Sequence, residues 1–400
     1  MISVQEACRR IVQSVRPLGA EVIGLREAAG RVLATDVAAR MTHPQATVSA
    51  MDGYAVRSCD VARAPVTLVV VAQSAAGHPS DVTVGPGEVV RIFTGAVIPS
   101  GADAIVLQED TQTGPDRTVV VRAPVTIGRH LRPSGLDFKT GEVLLRTGRC
   151  LTFRDIALAA AMNVPWLPVV RRPRVAILST GDEVRLPGEA IGPGDLIGSN
   201  GFALRAFVAH HGGEAIDLGV ARDDRASLLA LVKAARGADV LLTSGGVSVG
   251  EHDLVRAALD DAGLALDFWK VAVRPGKPLM HGSLAGVPVI GLPGNPVSAL
   301  VGAVLFVLPV LNALLGRPLE SGAERQRGVL SCDLPANDGR EDYLRATWQR
   351  AGDGTIHVTP FARQDSALQA ILAAADCLIV RPPHAPPAQA GDAIAVVPLS

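Results

Sequence analysis

The chain is poor in the residues that staple small folds or ligate metals. Its five cysteines, Cys8, Cys59, Cys150, Cys332 and Cys377, are odd in number, widely separated and form no C-x-x-C pair. Neither a disulfide frame nor a zinc site is suggested, and a reducing cytoplasm fits best. Aromatic residues make up 3% of the sequence, too few for a platform that stacks single-stranded bases. A formal net charge of -1 removes the basic field on which nucleic-acid binders depend. The nine histidines show no H-E-x-x-H or other ligand spacing. No basic-then-apolar signal opens the chain; Ser3 to Val15 reads as an amphipathic helix with Ser3 as N-cap and Glu6 three residues on. One apolar run, Ser298 to Gly316, resembles a membrane span. It falls short of the ~20 residues a span needs and carries Pro309 and Asn312, so a buried core helix is expected.

What is present is 400 residues, more than one core usually serves, so several domains are expected. From Arg174 onward strands and helices alternate. Val175 to Ser179 is a strand, Asn200 to His211 a helix stopped by Gly212 and Gly213, and Ala215 to Val220 a strand. A helix follows with Asp223 as N-cap, then a strand from Asp239 to Thr243. Such alternation implies a doubly wound, mostly parallel sheet with helices on both faces. Before it, Ser49 to Asp137 breaks into short β-rich pieces separated by Gly/Pro turns, and after Gly316 short strands and turns return. The expected organisation is α/β multidomain. Residues 1–44 and 138–172 form a discontinuous linker domain, 45–137 an inserted β-domain, 173–316 the α/β domain and 317–400 a C-terminal β-domain.

Three apolar runs of the α/β region end in loops rich in glycine, proline and charge: Ser244 to Asp253, Arg274 to Pro278, and Pro293 to Pro296. Glycines directly after a strand let backbone N–H groups approach an anion, and Pro296 suits the first position of a helix. Lys270, Arg274 and Lys277 add cations. Glu251 and Asp253 add carboxylates, which beside phosphates more often hold magnesium. Open sheets of this kind bind ligands beyond the carboxyl ends of their strands, where these loops fall. Thr180-Gly-Asp-Glu183 supplies further acids at the same edge. With Asp224 and Asp253 they either form a divalent-metal cluster or serve as caps and turn formers. Gly246-Val-Ser-Val-Gly250 matches a nucleophile elbow, so a serine hydrolase using Ser248 with Asp267 and His281 is a rival reading. His210 and His211 sit at a helix C-terminus, where a cation is favoured.

These stretches together resemble the molybdopterin molybdenumtransferase family, the cytoplasmic enzymes of the last step of molybdenum-cofactor synthesis. The most specific matches are Ser49-Ala-Met-Asp-Gly-Tyr-Ala-Val56, Arg91 to Ala96, Ser179 to Glu183, Ser244 to Asp253, Pro275 to Pro278 and Gly291 to Ser298. The resemblance spans the chain and implies a homodimer of four-domain subunits, with the cleft formed between the α/β domain and the partner's inserted domain. The implied reaction is magnesium-dependent: adenylylated molybdopterin is cleaved, molybdate enters at the dithiolene and AMP leaves. A separate molybdopterin adenylyltransferase and the maturation partners of molybdoenzymes are implied contacts, with neither nucleic acid nor membrane.

By resemblance, Asp182, Glu183, Asp224 and Asp253 handle the metal or polarise the phosphoanhydride, and Lys270, Arg274 and Lys277 hold phosphate and molybdate. Ser244, Gly245, Gly246, Ser248 and Gly250 cradle the ligand. Pro275, Pro293, Asn295 and Pro296 shape the other loops, and Ser298 faces the oxyanion. Asp52, Thr94 and Asp137 match functional positions of the inserted domain, and Arg345 and Ser366 match places where molybdate gathers. The chain departs from the pattern at Leu136, Arg274, Asp365, Ala370 and Asp376. Two further alternatives are a non-catalytic scaffold, as in a related domain of the receptor-clustering protein gephyrin, and the adenylylation step itself.

Overall fold

The computed structural model describes residues 1–222, 224–245, 254–317 and 325–399. Its centre is a six-stranded sheet in the order Glu214–Ala221, Arg174–Thr180, Val240–Ser244, Val287–Leu292, Met280–Leu284 and Leu264–Trp269. The first four strands are parallel, and the last two complete the sheet through antiparallel pairing. Because side chains alternate along each strand, Val175, Ile177, Val240, Leu242 and Ile290 face one core, and Ala176, Leu178, Leu241 and Val289 the other. The first core takes Leu204 and Val208 of helix Asn200–His210 and the long helix Pro296–Leu314. The second takes Leu228 and Val232 of helix Arg225–Ala234, with Ala258 and Leu259.

The apolar run is a core helix in this chain. It is long and apolar enough to cross a membrane by length and composition, yet 78% of its most apolar window is buried against the rest of the protein. Its middle turn, Ala303–Val307, opens into a π-turn ahead of Pro309. A proline there has no N–H to donate and its ring pushes against the carbonyl four residues back, which a wider turn relieves.

The first helix, Val4–Gln13, contributes Val4, Ala7 and Ile11 to the core of the central sheet. Ile2 bridges Val271, fastening the chain start beside the Lys270 loop. The linker has its own core, in which Ile23, Leu33 and Val37 meet Phe138, Leu145, Leu151 and Leu167. Between these two linker segments stands a six-stranded sheet, ordered Ala104–Leu107, Gly53–Val56, Glu88–Ile92, Val66–Ser74, Thr118–Val121 and Thr111–Thr113.

The terminal domain closes on itself. Glu341–Arg350 pairs with Ile356–Pro360 on one side and Cys377–Arg381 on the other, and Gln326–Leu330 and Ala393–Pro398 complete the ring. A sixth strand, Val273–Arg274, joins Glu341–Arg350 from the α/β segment. This pairing attaches the barrel beside the carboxyl edge of the central sheet.

Candidate active site

The carboxyl ends of the three inner parallel strands meet in register: Ser179 pairs with Ser244, and Ser244 with Leu292. Gly245 then turns with a φ of +92° and donates its N–H to Leu292 O at 3.2 Å. A Cβ at this position would lie 2.7 Å from Thr180 O and 2.9 Å from Thr180 Oγ1, so only glycine lets the two loops cross. Asn200, the first residue of its helix, donates Nδ2 to Ser244 Oγ at 2.9 Å and to Gly294 O at 2.8 Å. The edge therefore joins the Thr180, Ser244 and Pro293 loops in one small volume.

That volume is short of hydrogen-bond partners. Thr180 Oγ1 and Asn200 Oδ1 are buried and unpaired, each costing on the order of 1–3 kcal/mol if left dry. Because Gly294 O can only accept, the amide orientation of Asn200 is fixed and its free atom is an acceptor. Sequence reasoning missed Asn200; its partners lie 44 and 94 positions away.

The other loops close around this edge. Gly276 has a φ of +102°, and a Cβ there would stand 3.5 Å from Ser298 O and 3.9 Å from Pro293 Cγ. Val271 N–H donates to Lys277 O at 3.1 Å, closing the loop on itself and leaving Lys277 exposed. Lys270 Nζ lies 5.0 Å over the ring of Trp269. Arg274, at the start of the Pro275 turn, pairs with Asp338 and, at 3.1 Å, with Asp342 of the barrel. Pro296 occupies the first turn of its helix, Asn295 the cap position, and Ser298 is buried.

The barrel reaches this edge through residues 364–366. Asn295 Nδ2 donates to Ser366 Oγ at 2.9 Å, and Val297 N–H to Ser366 O at 3.2 Å. Arg345 is buried and holds the same loop from behind, with Nε on Gln364 Oε1 at 3.1 Å and Nη1 on Asp365 O at 2.8 Å. Ser366, Arg345, Asn295 and Ser298 are thus brought to one place by two domains.

The acids are less gathered. Among the described residues no group of three His, Cys, Asp or Glu could hold a metal ion. Asp224 is a helix cap, accepting from Ser227 N–H at 2.8 Å. Glu183 bends back over Gly181, its carboxylate within 2.8 Å of where a Cβ would stand. Gly246, Ser248, Gly250, Glu251, Asp253 and the cap expected at Asp223 lie outside the described residues. The hydrolase reading finds no relay: Asp267 pairs with Arg10 at 3.1 Å, while His281 is buried on a strand with Nδ1 on Val289 O at 3.2 Å.

A second cluster stands on the inserted domain. Asp52 Oδ1 accepts from Thr94 N–H at 2.7 Å and from Thr94 Oγ1 at 2.8 Å. The backbone donor first, the hydroxyl next and Arg91 last hold its carboxyl below the usual range. Asp137 is exposed, its N–H on His43 O at 3.1 Å, and is not hydrogen-bonded to that pair. Among the described residues no hydrogen bond or ion pair within one chain joins Asp52 or Thr94 to the sheet edge.

Such an edge, with tight glycine turns, cations and unpaired polar atoms beside an attached β-barrel, defines a class: a multidomain α/β protein with a polar site at the carboxyl ends of its parallel strands. Three family descriptions match in order: "MoeA N-terminal region (domain I and II)" over residues 2–163, "Probable molybdopterin binding domain" over 176–313, and "MoeA C-terminal region (domain IV)" over 327–399. A molybdopterin molybdenumtransferase of Haemophilus influenzae is 33% identical over 100% of this chain and 99% of its own length. The Bacillus subtilis protein of that name is 34% identical over 95% and 90%. A solved structure of a molybdopterin biosynthesis MoeA protein from Pyrococcus horikosii, 31% identical, superposes with a TM-score of 0.86 over 100% of this chain and 99% of its own. The chain belongs to the molybdopterin molybdenumtransferase family.

Proposed function

We propose that this chain inserts molybdenum from molybdate into adenylylated molybdopterin, with release of AMP. The observation that carries the reading is the meeting of Ser366 and Asn295, where the barrel loop is hydrogen-bonded to the turn that opens a buried helix. The exposed ammonium of Lys277 suits a pyrophosphate-linked ligand, and the turn at Gly245 lets the Thr180 and Ser244 loops cross. Thr180 and Asn200 supply unpaired groups for its polar edge. In the step proposed, water adds to the phosphoanhydride phosphorus as its P–O bond breaks and AMP leaves, and the two dithiolene sulfurs bond to molybdenum as one oxygen of the oxyanion departs as water with the two thiol protons. Ser366 and Ser298 orient the oxyanion, Lys277 offsets its charge, and buried Arg345 holds the Ser366 loop in place.

Magnesium belongs to this proposal on donor chemistry: Asp182 and Glu183 are exposed oxygen donors at the edge, with Asp253 the third candidate. Asp224 is occupied by its helix and is the weakest ligand candidate. When bound, the ion would neutralise phosphoanhydride charge. The working unit proposed is a cytoplasmic homodimer in which Asp52, Thr94 and Asp137 of one subunit complete the other's site, supplied by an adenylylating enzyme and drained by molybdoenzyme maturation.

The test is single-turnover conversion of adenylylated molybdopterin with and without molybdate and magnesium. AMP release should require both ions, and Ser366→Ala should raise the molybdate concentration needed about tenfold, the loss of roughly one charge-assisted hydrogen bond. Tight binding of the adenylylated pterin without AMP release would instead identify a scaffold or an upstream enzyme.

A further inference from the structure

Arg274 stands where two domains share a strand, and its guanidinium is already occupied. Val273–Arg274 runs parallel to Glu341–Arg350, pairing Arg274 with Asp342, and Glu341 N–H donates to Ala272 O at 2.9 Å. Above this pairing Nη1 meets Asp342 at 3.1 Å and Nη2 meets Asp338, which Arg340 also contacts at 3.2 Å. Asp342 is buried, and its other oxygen, Oδ1, has no partner. A buried carboxylate of this kind depends on the cation paired with it, since removing that cation leaves a charge stranded. Burial indeed pushes the Asp342 carboxyl up, and the Arg274 charge is the largest influence opposing it.

We propose, building on the transferase reading, that Arg274 is a positioning residue that locks the Pro275–Pro278 turn to the barrel. Its charge is matched by the barrel's acids rather than by the oxyanion. Both of its terminal nitrogens are engaged by the barrel's acids. The turn it opens runs beside Ser298 and Pro293 at Gly276 and presents Lys277 to solvent at the edge. The same barrel strand carries Arg345, which holds the Ser366 loop. One strand therefore fixes both flanks of the ligand edge, Arg274 serving the Lys277 side and Arg345 the Ser366 side. A lysine at 274 carries the charge but has no planar fork for two carboxylates at once.

Two readouts on the full chain test this. Amide hydrogen exchange at Val271 and Glu341 reports the lock directly, without substrate. Arg274→Met, Asp338→Asn and Asp342→Asn should each speed exchange there about five- to tenfold, with Arg274→Lys between them and the native chain. Arg274→Met combined with Asp342→Asn should be no faster than the worse single change. Exposed Asp338 supplies the evidence if buried Asp342→Asn fails to fold. Molybdate binding by calorimetry is the second readout: the arginine and aspartate changes should all weaken it, by about threefold or more. Unchanged exchange in the aspartate variants would overturn the lock. Tighter molybdate binding after either aspartate is removed would overturn it too, because the freed guanidinium would then be an oxyanion ligand. If the native chain binds no molybdate, the transferase reading fails while exchange still decides the role of Arg274.

Discussion

Thr94 gives Asp52 two donors from one residue, and the two can be separated by substitution. Thr94→Val keeps the backbone N–H and the side-chain shape but removes the hydroxyl. Because the N–H has the larger effect, the Asp52 carboxyl should rise toward its ordinary value yet stay below it, read by NMR titration of the carboxyl carbon. A return all the way to the ordinary value would show that the N–H bond was lost as well. Asp52 stabilises the fold above its unfolded pKa, and that contribution is lost as pH falls through the depressed folded value. Single residues were legible where type dictates geometry: Gly245, Gly276 and Pro296 occupy the turns and helix start that their chemistry requires. Asn200 and Arg274 were not, because their meaning lies in partners 44 to 94 positions away.

Helix Asn200–His210 ends as its glycines predict, with Gly212 at a φ of +90°, but its terminal histidine differs from the expected cation. His211 packs on Phe207, its ring centroid 4.4 Å away, and its carbonyl accepts from Arg317 at 3.2 Å. Burial first, then His210 and Arg317, push its pKa down to about 4. The helix C-terminus would favour a charge, and desolvation outweighs it. Between the ordinary histidine value and about 4 the unfolded chain therefore binds the extra proton, so stability falls as pH drops through that window. His211→Phe should flatten this part of a pH series of urea midpoints, by up to one proton's slope. An unaltered slope would mean that His211 titrates normally. The strand and helix alternation was readable because its apolar periods are long. The two-residue strand Val273–Arg274 was not, since so short a segment has no period and its partner belongs to another domain.

At the scale of the whole molecule, there are two polar clusters that no hydrogen bond or ion pair among the described residues joins: Asp52 with Thr94, and the sheet edge with Lys277 and Ser366. Apolar side chains stand open to solvent on both domains, Met51 at 43% next to Asp52 in the first, and Ile191 at 60% and Leu196 at 61% in the second. Exposed apolar groups on both domains are what a subunit contact between them would cover. In the proposed two-fold dimer the contact is made twice, so each composite site would take one cluster from each chain. The consequence is arithmetic. Asp52→Ala and Lys277→Ala homodimers should both be inactive, each lacking half of every site. In a heterodimer of the two, one site inherits both lesions and the other neither. Random mixing makes half the dimers mixed, so co-expression should restore about one quarter of native AMP release. Mass spectrometry of the intact complex would establish that mixed dimers formed. Mixed dimers without recovered activity would place both clusters in the service of a site within one chain, and Asp52 would then have to reach the sheet edge by domain movement.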